Sequence, residues 1–195
     1  MTNEFQVISF DIGIKNLAYC ILEKRNVTEC KIKHVEKVDL QCRKNDTQKI
    51  IDSVLEVLDD ILFNKLDMSL PIIVLIESQM TSVMKSIQTS INVFFKIQMK
   101  YQSIDVKTQY LSARHKLNLI DQFKNEYTRP EITEKNQYKQ NKVDSVHFGT
   151  WLLSESKFKD LEILATIQKS KKKDDMFDCV CMVIYYVKKM RSPIQ

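Results

Sequence analysis

A chain of 195 residues, 44% hydrophobic and 28% charged, has the material for a packed core and is too apolar for a disordered segment. The net charge of +5 and pI of about 8.8 suit a polyanionic partner without requiring one. No basic-then-apolar leader heads the sequence, and its apolar runs fall far short of the roughly 20 residues of a membrane span, so no membrane partner is expected.

The five cysteines (Cys20, Cys30, Cys42, Cys179 and Cys181) are odd in number, form no CxxC pair and lie mostly in apolar segments. They read as reduced core residues of an intracellular protein, with neither a zinc knuckle nor a disulfide framework. The length suits one α/β domain over residues 1–195, domains running roughly 100–200 residues.

The first element is Val7-Ile8-Ser9-Phe10-Asp11-Ile12-Gly13, an apolar strand with a carboxylate near its end and a glycine turn after it. The two-residue period of a strand puts Val7, Ser9 and Asp11 on one face and Ile8, Phe10 and Ile12 on the other. A carboxylate among β-formers needs a partner, either a turn that it caps or a bound cation, and both readings stand at this point. Leu17 to Leu22 makes a second strand, joined to the first as a hairpin. A third spans Cys30 to Leu40, with Cys30, Ile32, His34, Val38 and Leu40 on one parity and Lys31, Lys33 and Lys37 on the other, the pattern of an edge strand. His34 reads as a packed or hydrogen-bonded residue on the apolar side rather than a metal ligand.

Ile50, Val54, Leu55, Leu58, Ile61 and Leu62 then repeat at helical spacing between Asp46, a plausible N-cap, and Asn64. Pro71 opens Ile72-Ile73-Val74-Leu75-Ile76, a β-branched run that suits a strand covered on both faces, and it ends on Glu77. Val83, Ile87, Ile91, Phe94, Phe95 and Gln98 continue as an amphipathic helix to about Lys100, and Ile104 to Tyr110 makes a fifth strand. Phe94, Phe95 and Met99 are either core or part of an interface between two copies.

Leu111 to Gln137 reads as an inserted excursion, with a short helix from Arg114 to Lys124 and a polar stretch containing Pro130. Helical spacing returns from Lys139 to Leu153 and from Phe158 to Ile167. A last helix begins at Asp174-Asp175-Met176-Phe177-Asp178, after Lys169, Lys171, Lys172 and Lys173, and runs to about Met190. The order βββαβαβα…α predicts an α/β fold, a mixed five-stranded sheet with helices on both faces.

Four acids invite comparison. Asp11 and Glu77 end two central-looking strands, and Asp175 and Asp178 share a face in the first turn of the last helix. Acids in a first helical turn also complement the helix dipole with no metal present, a role for which Asp174 serves equally. If the two strands are neighbours, their carboxylates meet at the sheet edge where open α/β sheets bind ligands. Four clustered anions there repel one another unless hard cations sit among them, and oxygen donors without His or Cys select Mg²⁺ or Mn²⁺. Two such ions about 3.5–4 Å apart activate a water and stabilise the leaving oxygen of a phosphodiester, with nearby lysines on the backbone.

Phe10 to Ala18, then Ile76-Glu77-Ser78-Gln79, then Asp174 to Asp178 resemble the ordered acidic motifs of the RuvC-type Holliday junction resolvases. The branch of poxviruses and other large cytoplasmic DNA viruses is the nearest, and the fungal mitochondrial resolvase is also similar. That resemblance implies an RNase H-like fold and a Mg²⁺-dependent homodimer, Mn²⁺ substituting, that cuts branched DNA by paired symmetric nicks across a four-way junction. It implies Asp11, Glu77, Asp175 and Asp178 as metal ligands and a basic residue on the preceding helix, Lys142 first and Lys139 second. Lys139, Lys142, Lys171, Lys172, Lys173 and Gln79 are the expected DNA contacts, Gln79 orienting Glu77 or touching a phosphate. No small-molecule substrate is expected, and the viral resemblance points to a cytoplasmic replication site in an infected cell. Ser78 departs from the motif, where relatives often carry a basic residue.

Two other classes share these features. An actin-like or sugar-kinase-type phosphotransferase has the same Asp-x-Gly strand end, but two glycines in the whole chain are few for a phosphate cradle. A non-catalytic DNA-binding module on the same scaffold would use the acids only as caps.

Overall fold

The computed structural model describes residues 4–26, 29–112, 114–131 and 136–191. Its sheet has five strands: β1 (Phe5–Asp11), β2 (Leu17–Lys24), β3 (Cys30–Val38), β4 (Ile72–Glu77) and β5 (Val106–Leu111), in the order β3-β2-β1-β4-β5. The first three form an antiparallel meander, with Asp11 opposite Ala18, whereas β4 lies parallel to β1 and β5 parallel to β4. The two strands that end in a carboxylate are therefore neighbours and run the same way.

The two-residue period of β1 splits the core as its sequence predicts. Ile8, Phe10 and Ile12 face α1 (Thr47–Asn64) and α2 (Ser82–Gln102), where Val54, Leu58, Ile87, Ile91 and Phe95 complete an apolar layer. Each such fully buried Leu or Phe contributes about 1.5–3 kcal/mol of transfer free energy. Val7 faces the other way, toward α3 (Arg114–Asp121), α4 (Gln137–Ser154), α5 (Leu161–Gln168) and α6 (Lys173–Arg191). The helix starts use local caps: the Asp46 carboxylate accepts from Lys49 N at 3.1 Å, and the Asp160 carboxylate accepts from Ile163 N at 3.1 Å. The last cap moves the start of α5 to Leu161, three residues beyond the expected Phe158.

α6 is the element that positions the site. Ser9, fully buried on β1, donates its hydroxyl to the carbonyl of Cys179 at 2.9 Å, which pins α6 to the central strand. On the far side of α6 lies Gly149 of α4, where an added Cβ would stand 2.2 Å from Cδ1 of the buried Phe177 ring. Only glycine permits that approach. Cys20, Cys42, Cys179 and Cys181 are buried, as expected. No helix of the described residues is long and apolar enough to cross a membrane.

One expectation is corrected. β3 carries an irregularity: Ile21 pairs with His34 but Leu22 with Ile32, so Lys33 is an extra residue opposite that step. The bulge reverses the parity beyond it. Val35 takes the core position, and His34 is exposed. Of the two readings for Phe94, Phe95 and Met99, core holds for the phenylalanines, at 8% and 0% exposure, while Met99 is exposed. The stretch read as an excursion includes the buried Leu119, Phe123 and Tyr127, and the two rings pack against Phe148 and Trp151.

Candidate active site

Asp11, Glu77, Asp175 and Asp178 line one open cavity of about 610 Å³ at the carboxyl ends of β1 and β4. The convergence follows from the fold. Parallel pairing of β1 with β4, registering Phe10 against Ile76, brings the two strand-end carboxylates to the same edge. The Ser9–Cys179 bond holds the first turns of α6 over that edge, where Asp175 and Asp178 project three residues apart. After Asp11 the chain must turn at once, and an added Cβ on Gly13 would sit 3.0 Å from the Asn16 carbonyl. Gly13 and Asn16 thus enter the cavity wall.

The carboxylates are held by protein donors. Gln79 Nε2 donates to Glu77 Oε2 at 3.1 Å. Ser145 on α4 donates its hydroxyl to Asp178, and Lys142, one turn before it, donates to Asp174. Burial pushes the Asp174 carboxyl up, but the hydrogen bond and charge of Lys142 outweigh it and hold the group below the usual carboxylate range. Asp175 goes the other way. Burial raises its carboxyl, and the negative charges of Asp174 and Asp178 raise it further, against opposition from Lys142 and Lys172.

Among the described residues, no group of three or more His, Cys, Asp or Glu side chains is arranged to hold a metal ion. Glu77, Asp174 and Asp178 each accept a hydrogen bond from a protein donor, respectively Gln79, Lys142 and Ser145. The donor chemistry of the four acids, carboxylate oxygens, fits Mg²⁺ or Mn²⁺.

Of the expected DNA contacts, Lys142, Lys172 and Gln79 line the cavity. Lys139 and Lys171 are exposed and Lys173 half-buried, all outside the cavity wall. The sequence reading missed Asp174 as the partner of Lys142, Ser145 as the partner of Asp178, and Asp144. Asp144 is 1% exposed and takes two hydrogen bonds from Arg129, one at 2.9 Å from Nε to Oδ1. A charge amid α4 between Val143 and Val146 was the available signal, since a buried carboxylate requires such a partner.

No protein-family model matches the chain, and no curated protein matches it in sequence. Solved structures do resemble it. The yeast mitochondrial Holliday junction resolvase Ydc2 superposes with a TM-score of 0.63 at 18% identity, over 93% of this chain and 78% of that one. RuvC of Thermus thermophilus gives 0.55 at 10% identity over 96% and 98%, and, in complex with Holliday junction substrate, 0.51 at 10% over 95% and 96%. The Mn-soaked nuclease domain of the human cytomegalovirus terminase gives 0.50 at 11% identity, over 96% and 84%. The chain has the RNase H-like fold of these nucleases.

Proposed function

We propose that this RNase H-like chain is a divalent-metal-dependent endonuclease that resolves four-way DNA junctions. The observation that carries the reading is the meeting of Asp11, Glu77, Asp175 and Asp178, from two strands and a helix, around one open cavity with Lys142 in its wall. Structural likeness to junction resolvases supports it at the level of the fold. Asp11, Glu77, Asp175 and Asp178 would hold the ions, and the terminase neighbour, soaked with Mn, supports divalent metal use. Bound there, Mg²⁺ or Mn²⁺ would supply the Lewis acidity that activates a water and stabilises the leaving oxygen of a phosphodiester.

The chain's own groups do the rest. Gln79 fixes the rotamer of Glu77, and Ser145 fixes that of Asp178. Lys142 sits beside the acids on the α4 wall and offsets negative charge developing on a phosphate there. Lys172 at the cavity mouth attracts the backbone. Paired symmetric nicks need two such sites at a fixed separation, hence a homodimer. The motif resemblance favours the branch of poxviruses and large cytoplasmic DNA viruses, and with it a cytoplasmic replication site.

The test is cleavage of a synthetic four-way junction in Mg²⁺, beside a linear duplex and an RNA–DNA hybrid. The wild type is expected to cut the junction preferentially. Asp175→Asn is expected to lose more than about a hundredfold in rate, exceeding the 10–100-fold typical of groups that merely orient a metal ligand, while binding the junction as well or better. A wild-type protein that binds junctions but cuts none of these substrates in Mg²⁺ or Mn²⁺ is a binding module instead.

A further inference from the structure

The basic residues assigned so far all lie on α4, between α5 and α6, or at the first residue of α6. Another pair stands at the opposite flank of Asp11 from Glu77. In sheet order Asp11 pairs with Ala18 and Ala18 with Lys37, so Lys37 lies level with Asp11, two strands away on the β3 side. Paired residues share a face, and strands lie about 4.8 Å apart, which sets the Lys37 backbone roughly 10 Å from that of Asp11 on the face where α6 docks. Its ammonium donates to Asn16 Oδ1 at 3.3 Å, and Asn16 lines the cavity. Lys15, exposed, precedes Asn16 at the tip of the same turn.

The support beneath these cations is firm. Leu40 N donates to the Ile14 carbonyl at 3.2 Å, tying the end of β3 to the β1–β2 turn. Asp39, two residues past Lys37, accepts from Gln41 N at 2.9 Å, stabilising a left-handed Gln41 with φ of 54°. The cavity floor is acidic, so a strand cannot be held there by charge alone and needs cations beside it.

We propose that Lys37, positioned by Asn16, and Lys15 form a second phosphate-binding rail, over which the DNA strand continues past the acids on the β3 side. The inference rests on the reading that this cavity takes a DNA strand. It gives the β1–β2 turn a second task. The turn brings Asp11 to the cavity and receives a phosphate flanking the one that is cut, so the substrate must extend beyond the scissile position in that direction.

The experiment measures binding of a synthetic four-way junction by fluorescence anisotropy, with chelator present so that nothing is cut, across about 0.05–0.3 M salt. Lys15→Ala/Lys37→Ala is expected to weaken binding by on the order of tenfold to a hundredfold near 0.1 M and to flatten the log–log salt slope by about 1.8, two phosphate contacts. Lys15→Arg/Lys37→Arg is expected to keep the wild-type slope. The control, Lys31→Ala/Lys33→Ala, removes the same charge from the far end of β3, and is expected to change neither quantity. Equal losses in both alanine pairs, or no loss in either, overturn the rail. A wild type with no measurable DNA binding overturns the nuclease reading instead.

Discussion

On one face of the sheet, α1 and α2 meet Ile8, Phe10, Tyr19 and Ile76 with Ile50, Leu58, Ile91 and Phe95, side chains that are hydrocarbon nearly throughout. On the other, α6 crosses the same strands with Asp175 and Asp178 at its start, and polar groups thread the packing: Ser9 to Cys179, Ser145 to Asp178, Arg129 to Asp144. Apolar contacts are non-directional and tolerate repacking, so the first face fixes where the helices lie and little more. Buried hydrogen bonds demand particular partners, so the second face fixes the rotation and height of α6 to within the reach of a side chain. One face supplies stability; the other supplies aim.

Substitutions on the two faces should then separate stability from cleavage. Leu58→Ala, in the apolar layer, is expected to cost about 2–5 kcal/mol, and Tm should fall by about 2–4 °C per kcal/mol in a chain of this size. Cleavage measured well below the transition should stay at the wild-type rate. Gly149→Ala is expected to cost less, about 1–3 kcal/mol of overpacking against Phe177, offset by at most about 1 kcal/mol of better helix propensity. Its cleavage should nonetheless collapse, since α4 carries Lys142 and Ser145. If Leu58→Ala impairs cutting as much as Gly149→Ala does, the division between the faces fails.

Arg129→Ala should cost about 1–2 kcal/mol in urea unfolding, because it strips a buried carboxylate of two hydrogen bonds while the guanidinium side is half-exposed. In a double-mutant cycle Asp144→Asn should recover part of that loss, and strict additivity would show that the pair is not coupled. The smallest effect concerns Glu36 on the edge strand. Burial pushes its carboxyl up, but the hydrogen bonds from Lys65 and Tyr19 prevail and hold it below its usual value. A group depressed in the folded state stabilises above its unfolded value, near 4.3, and that contribution disappears as pH falls through the lower folded value. The Tm gap between wild type and Glu36→Gln should accordingly be present at pH 7 and close below about pH 4. A gap that widens in acid would reverse the assignment.

Much of this was legible before any coordinates. Local periodicity carries α1, α2 and the covered strand β4, and four acids at element ends predict the cavity that they share. What escaped depends on contacts between distant segments. Arg129 and Asp144 are fifteen residues apart, and nothing local says that a polar stretch after Pro130 leads back to α4. Ser145 and Asp178 are separated by thirty-three, and Lys142 and Asp174 by thirty-two, so their pairing needs the α4–α6 approach that Gly149 allows. In β3 the alternation of Ile32, His34 and Val38 pointed to the wrong face because one extra residue leaves no mark on composition.

That extra residue has a consequence for how the chain tolerates length changes. With Lys33 deleted, His34 would still oppose Ile21 and Lys37 would still oppose Ala18, so the ladder would become regular and every side chain would keep its face. A codon lost between Val35 and Val38, where every residue is paired, has no such slack and would turn the positions beyond it to the opposite face of the sheet.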